Sequence, residues 1–92
     1  MVFWWERLSR RSRIQVIIDI LTEASEGANK TRIMYRANLN FLRFKRYLSE
    51  LLDKGLIIEV NNPGSGKVTY EITEEGKALL EVLKKAERFI SL

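Results

Sequence analysis

The run from Asn40 to Gly55, Asn-Phe-Leu-Arg-Phe-Lys-Arg-Tyr-Leu-Ser-Glu-Leu-Leu-Asp-Lys-Gly, constrains the fold of this chain more than any other stretch. Both of its ends are marked. Asn40 is a good N-cap acceptor and Gly55 can take the left-handed conformation that closes a helix, so the spacing predicts a helix over 40–54. At about 100° per residue, Phe41, Phe44, Leu48, Leu51 and Leu52 fall on one apolar stripe, and Arg43, Arg46, Ser49, Glu50 and Asp53 fall opposite. Lys45 lies nearer the stripe. The stripe needs a core, and the opposite face carries its two arginines in the N-terminal half, the end at which a recognition helix meets base edges and phosphates. Any solvated helix of a basic protein has a similar look, so the flanking segments must decide.

Upstream, Lys30-Thr31-Arg32-Ile33-Met34-Tyr35-Arg36-Ala37 reads as a short helix over 30–37, with Ile33, Met34 and Ala37 on one side and Arg32 and Arg36 on another. Asn38-Leu39-Asn40 breaks it. A short helix, a turn of about three or four residues and a longer helix with a polar N-terminal face form the helix-turn-helix arrangement. A first helix is predicted over 9–25, where Ile14, Ile17, Ile18 and Leu21 recur at helical spacing and Gly27 stands just beyond as a stop. Downstream, Leu56-Ile57-Ile58-Glu59-Val60 and Lys67-Val68-Thr69-Tyr70-Glu71-Ile72 flank Asn61-Asn62-Pro63-Gly64-Ser65-Gly66, which is dense in turn formers. That is a β-hairpin over 56–72. Its Gly64 and Gly66 precede a strand rather than a helix N-terminus, so they mark a hairpin tip and not a phosphate-binding loop. Thr73 caps a last helix over 74–91, with Glu74 and Glu75 well placed in its first turn.

Charge narrows the partners. Residues 1–50 hold ten basic against five acidic side chains, and the remainder six against seven. Between Lys30 and Arg46 there are six basic residues and no acid. Such a run suits a phosphate-facing surface, which puts nucleic acid first among partners. The chain has no Cys and no His. That excludes disulfides, thiolate nucleophiles, cysteine zinc sites and the commonest general base and metal ligand. No nucleophile, base and orienting group recur at a plausible spacing, so the expectation is a non-enzyme with no catalytic residue, no metal and no cofactor. No small-molecule ligand is evident. No apolar run approaches the roughly 20 residues that a bilayer demands, and the start, Met-Val-Phe-Trp-Trp-Glu-Arg, is interrupted too early by charge for a secretory signal. The expected location is cytoplasmic, without membrane association.

Two apolar segments exceed what a 92-residue domain needs for itself, since a domain of this size buries only about 60 to 65% of its unfolded surface. Phe3, Trp4 and Trp5, with Val2 and Leu8, form a dense aromatic start. A cap over the domain's own core, a contact with a second subunit and an anchorage in a membrane interface beside Arg7, Arg10 and Arg11 are three readings of it. The other segment is the seam of Leu79, Val82, Leu83, Ala86, Phe89 and Ile90 on the last helix, whose a/d-like spacing over barely two heptads favours a helix that begins on its own domain and continues into a homodimer contact.

The order helix, helix, helix, two strands, helix resembles a winged helix-turn-helix domain with an appended C-terminal helix. The strings Lys30-Thr31-Arg32-Ile33-Met34-Tyr35, Ala37-Asn38-Leu39, Tyr47-Leu48, Leu56-Ile57-Ile58 and Tyr70-Glu71-Ile72-Thr73-Glu74-Glu75-Gly76 are similar to the small archaeal winged-helix proteins typified by the ten-kilodalton Sulfolobus DNA-binding proteins. The resemblance covers roughly residues 14–90. It implies a binder of double-stranded DNA, acting as a transcriptional regulator or nucleoid protein, that dimerises through its C-terminal helices.

The expectation is therefore a single mainly α domain (α+β) over 1–92, a winged helix-turn-helix with a two-stranded wing and an appended dimerisation helix. Helix 40–54 is expected to enter the major groove, with Arg43 and Arg46 on bases or phosphates and Asn40 both capping the helix and reaching a phosphate. Lys30, Arg32, Arg36 and the wing's Lys67 are expected to hold the backbone. The competing reading is a winged helix that binds an acidic protein rather than DNA.

Overall fold

The computed structural model of the protein describes residues 13–90, the side chain of Ile90 excepted. Phe3, Trp4, Trp5, Arg10, Arg11, the first residues of the predicted opening helix and Ser91 lie outside the described residues. The elements run α1 (Arg13–Ala24), α2 (Lys30–Ala37), α3 (Phe41–Asp53), β1 (Ile57–Asn62), β2 (Lys67–Ile72) and α4 (Glu74–Ile90). Among the described residues, four helices and a small antiparallel sheet make a mainly helical winged-helix fold.

α2 and α3 start in the same way. The Asn29 side chain accepts the Arg32 N–H at 2.8 Å, and the Asn40 side chain accepts the Arg43 N–H at 2.9 Å. Each satisfies one of the four donors that a helix start leaves unpaired. Between the two helices Asn38 adopts φ 56° and ψ 50°, and its N–H donates to the Tyr35 carbonyl at 3.1 Å. Asn tolerates this left-handed conformation better than most side chains, so α2 ends and the chain turns within three residues. Leu39, just before the cap, and Phe44 in the second turn belong to one apolar cluster. They fix the angle at which α3 leaves the turn in the manner of a hydrophobic staple.

The core is built around α1, which α2, β2 and α4 all cover. Val16, Ile20, Leu21 and Ala24 of α1 join Ile33, Ala37, Phe44, Tyr47, Leu48, Leu51, Ile57 and Tyr70. The sequence stripe of Ile14, Ile17, Ile18 and Leu21 is thus only partly the buried one, since Ile14 and Ile17 are half-buried and Val16 and Ile20 are fully enclosed. A single stripe describes a helix covered from one side, and α1 is covered from several. On α3 the stripe also rotates. Phe41 is 59% exposed, whereas Tyr47 is 8% exposed and takes its place in the core. Phe41 occupies the first helical position, beyond the reach of the cluster, and its ring lies 6.0 Å from the Lys45 ammonium.

β1 and β2 pair antiparallel in the register Ile57↔Ile72 to Asn62↔Lys67. The Asn62 carbonyl closes the tip by accepting the N–H of Gly66 at 2.8 Å. Ala28 adds a bridge to Tyr70, with N–H to carbonyl distances of 3.2 and 2.8 Å, so the wing is tied to the segment that leads into α2.

Thr73 joins the wing, α3 and α4. Its hydroxyl donates to the Gly55 carbonyl at 2.7 Å and accepts the Gly76 N–H at 3.0 Å, while its own N–H donates to Leu56 at 3.1 Å. One residue therefore caps α4 and holds the end of α3. Gly76 is buried here because nothing larger fits. A Cβ at this position would collide with the Leu56 carbonyl oxygen and come within 2.7 Å of Ile72 Cγ1. Beyond this joint α4 opens out. Leu79 and Leu80 pack against the core, Leu83 and Ala86 are half-buried, and Val82 and Phe89 are 61% and 78% exposed. Among the described residues no helix is long and apolar enough to cross a membrane.

Candidate nucleic-acid interface

The buried side of α3 is set by Phe44, Tyr47, Leu48 and Leu51. Helical geometry then turns Leu42, Lys45, Arg46, Ser49 and Asp53 outward. These residues, with Arg13 and Glu50, surround a shallow hollow along the helix. Arg46 and Lys45 stand near its N-terminal half, and Glu50 and Asp53 toward its C-terminal end. Lys45, placed by the sequence stripe nearer the core, is exposed on this outward face once Tyr47 rather than Phe41 defines the inside.

Arg43 sits on the flank. It lines a second hollow with Arg13, Arg46, Tyr47 and Glu50. Arg46 borders both hollows, so it links the crest of α3 to this flank. Glu50 is shared by two cations, with Arg13 at 3.8 Å and Lys54 at 3.7 Å. Both pairs are exposed and weak. Asn40 is exposed at the start of α3, and its side-chain oxygen is engaged by the Arg43 N–H.

Lys30 and Lys67, 37 positions apart in the chain, meet in a groove of about 460 Å³ between the start of α2 and β2, which Asn29, Thr31, Glu59, Val68, Thr69 and Tyr70 complete. The Ala28 to Tyr70 bridge brings them together. Glu59 is the acid of the groove and accepts the Tyr70 hydroxyl at 3.3 Å. Burial first, and the Glu59 carboxylate second, push the Tyr70 phenol above its ordinary range.

Arg32 and Arg36 are placed differently. Glu23 of α1, with a side chain 18% exposed, lies between them, 3.0 Å from Arg32 Nε and 3.8 Å from Arg36 Nε. The acid-free run of the sequence therefore gains an acid in the fold. Among the described residues Lys30, Arg43, Lys45, Arg46 and Lys67 have no ion pair, nor do Lys84, Lys85 and Arg88 of α4, so the unpaired cations near the helix-turn-helix lie on α3 and in the α2–wing groove. No signal in sequence spacing connects Glu23 to Arg32 and Arg36. Leu42, which the reading of the two faces left unassigned, is exposed on the outward face.

The profile of the winged helix-turn-helix family matches residues 10–91. Two uncharacterized proteins of Methanocaldococcus jannaschii are similar in sequence. One is 40% identical over 78 residues, which span 84% of this chain and 74% of that protein. The other is 33% identical over 82 residues, which span 88% of this chain and 36% of that protein. Among solved structures, Sso10a-2, a DNA-binding protein from Sulfolobus solfataricus, superposes with a TM-score of 0.75 at 27% identity, over 88% of this chain and 83% of that one. A MarR family transcriptional regulator from Silicibacter pomeroyi shares the fold, with a TM-score of 0.66 at 20% identity over 95% of this chain and 62% of that one. By the profile match across nearly its whole length, by its relatives and by the arrangement of its elements, the chain belongs to the winged helix-turn-helix family.

Proposed function

We propose that this protein binds double-stranded DNA as a homodimer and serves as a transcriptional regulator or nucleoid protein in the cytoplasm. In this reading α3 lies in the major groove with Arg46 and Arg43 toward bases and adjacent phosphates, and Asn40 lies near the backbone. Lys30 and Lys67 hold phosphates from the α2–wing groove, and Arg32 and Arg36 add weaker backbone contacts because Glu23 draws on them. The observation that carries the reading is that Lys30, Arg43, Lys45, Arg46 and Lys67 have no ion pair among the described residues and lie in two patches, one on α3 and one where α2 meets the wing. Cations kept without ion pairs leave an electrostatic field for an outside polyanion. Similarity to a DNA-binding protein of Sulfolobus solfataricus supports the same choice.

The subunit contact is assigned to the open half of α4. Val82 and Phe89 are exposed there, Leu83 and Ala86 are half-covered, and Leu79 is shared with the domain's own core. Ile90, Phe3, Trp4 and Trp5 complete this assignment from the sequence. Truncation after Lys77 is expected to leave a monomer or an unfolded chain by sedimentation, and a monomeric full-length protein at micromolar concentration would contradict the assignment.

Electrophoretic titration of specific and random duplexes at two salt concentrations tests the DNA reading. With roughly four to six phosphates contacted per subunit, log affinity is expected to fall with log salt with a slope of about −4 to −5 for one subunit, and about twice that for two. A slope near zero, joined to tight binding of an acidic protein, would instead favour a winged helix used for protein interaction.

A further inference from the structure

The first turn of α3 places a leucine in solvent beside basic residues. Acidic side chains are favoured there by the helix dipole, yet the turn reads Phe41-Leu42-Arg43 and contains no acid. Leu42 is 74% exposed. It stands opposite the buried stripe of Phe44, Tyr47, Leu48 and Leu51, at the point of the helix farthest from the core. A leucine in that place adds nothing to the core and nothing to solubility. Its surroundings indicate what it meets. Lys45 and Arg46 border the same hollow at the Leu42 end, and its acids, Glu50 and Asp53, lie at the far end, two turns or more along the helix from Leu42. The fitting occupant is a polyanion that presents an apolar group at the depth of a helix crest. In the major groove thymine does so, through its C5 methyl.

We infer that Leu42 contacts thymine methyl groups and makes A·T pairs preferred where the crest of α3 meets the major groove. The inference deepens the proposed DNA binding and rests on α3 as the helix that enters the major groove. Leu42 supplies the sequence preference, and Lys45 and Arg46 on either side supply affinity through phosphates and base edges. The contact is dispersive and desolvating, so it discriminates by the presence of one methyl group rather than by a hydrogen bond.

The test uses the full chain and two alternating A·T duplexes, identical except that one carries deoxyuridine at every thymidine. That exchange removes the C5 methyl and leaves every hydrogen-bonding edge in place. The wild-type protein is expected to bind the thymidine duplex about three- to fivefold more tightly for each methyl contacted, the weight of one buried methyl group. Leu42→Ala, with its fold checked by circular dichroism, is expected to bind both duplexes alike. Equal binding of both duplexes by the wild type, with a steep salt dependence retained, overturns the methyl contact and leaves DNA binding standing. Absence of binding to either duplex overturns both readings. Discrimination that survives Leu42→Ala overturns the assignment to Leu42. So does a Leu42→Ala protein that loses self-association in sedimentation while keeping its preference for thymidine, because the crest is then a subunit contact.

Discussion

α2 and α3 begin alike and end in different electrostatic states. Each has an asparagine cap bonded to the third N–H of its helix, and each carries two arginines, Arg32 and Arg36 on one and Arg43 and Arg46 on the other. Yet Glu23 holds both arginines of α2, and neither arginine of α3 has an ion pair among the described residues. An equal pair of arginines in the sequence thus gives an unequal field in the fold. The difference teaches that a basic run reports potential partners only after its tertiary neighbours are counted. A half-buried glutamate between two guanidinium groups attracts them more strongly than an exposed one does, because less water screens it. α2 is thereby bound to α1, and α3 is left to face outward.

The largest effect tests the frame that holds both helices. Gly76→Ala forces a Cβ against the Leu56 carbonyl and Ile72 at the joint of α3, wing and α4. A loss of about 3 kcal/mol is expected, the upper part of the range for overpacking. Urea denaturation measures it, and an unchanged midpoint would mean that the joint gives way easily and that the placement of α3 is not rigid.

Arg46→Ala and Arg32→Ala test the contrast itself. Arg46→Ala is expected to weaken duplex binding by about 1–3 kcal/mol, with stability changed by less than about 0.5 kcal/mol. Arg32→Ala is expected to do less to binding and to lower stability by a few tenths of a kcal/mol, near ~0.5, through the lost pair with Glu23. Equal losses of affinity from the two variants would erase the distinction between α2 and α3.

Glu23→Gln sharpens it from the other side. Release of Arg32 and Arg36 is expected to raise duplex affinity and to steepen the salt slope by about one to two. This is a gain from a residue on a helix with no assigned DNA contact. An affinity that stays level would show that both arginines already reach phosphates despite Glu23. Lys67→Ala is the milder complement at the wing. It is expected to weaken all sequences alike and to flatten the slope by about one, and a loss confined to some sequences would place Lys67 on bases instead.

The smallest effect concerns the anchor of α2. Tyr70, bridged through its backbone to Ala28, has a phenol raised above 10.0 by burial and then by Glu59. A group raised in the folded state binds its proton more tightly there than in the unfolded chain. Its contribution is full below pH 10.0 and is lost as pH climbs through the folded value. Alkaline denaturation should therefore be shallower in Tyr70→Phe than in the wild type. Parallel curves would show that the phenol does not hold the groove of Lys30 and Lys67.

Where a signal is local, the sequence carried it. The Asn40 cap, the break at Asn38, the hairpin tip and the Thr73 start of α4 each depend on a few neighbouring residues, so the order of helices and strands and the winged-helix class were legible from spacing and turn chemistry. Gly76 was legible only as part of a motif. Its reason, the approach of the Leu56 carbonyl, belongs to a residue twenty positions away.

The sequence by itself determined which segments are helix or strand and that a basic surface exists between residues 30 and 46. Only the tertiary structure decided which face of each segment is inside and which cations remain unpaired. Periodicity fixes a stripe relative to the helix but not the direction from which neighbours arrive. Hence the core on α1 moved to Val16 and Ile20, Phe41 gave way to Tyr47, and Lys45 turned outward. Electrostatic pairing depends on distance in space, so Glu23 reached Arg32 and Arg36 from another helix and Lys67 reached the groove of Lys30 from the wing. Those juxtapositions arise when α1, α2 and the hairpin close on a common core, because neither charge order nor helical spacing contains the distance between segments.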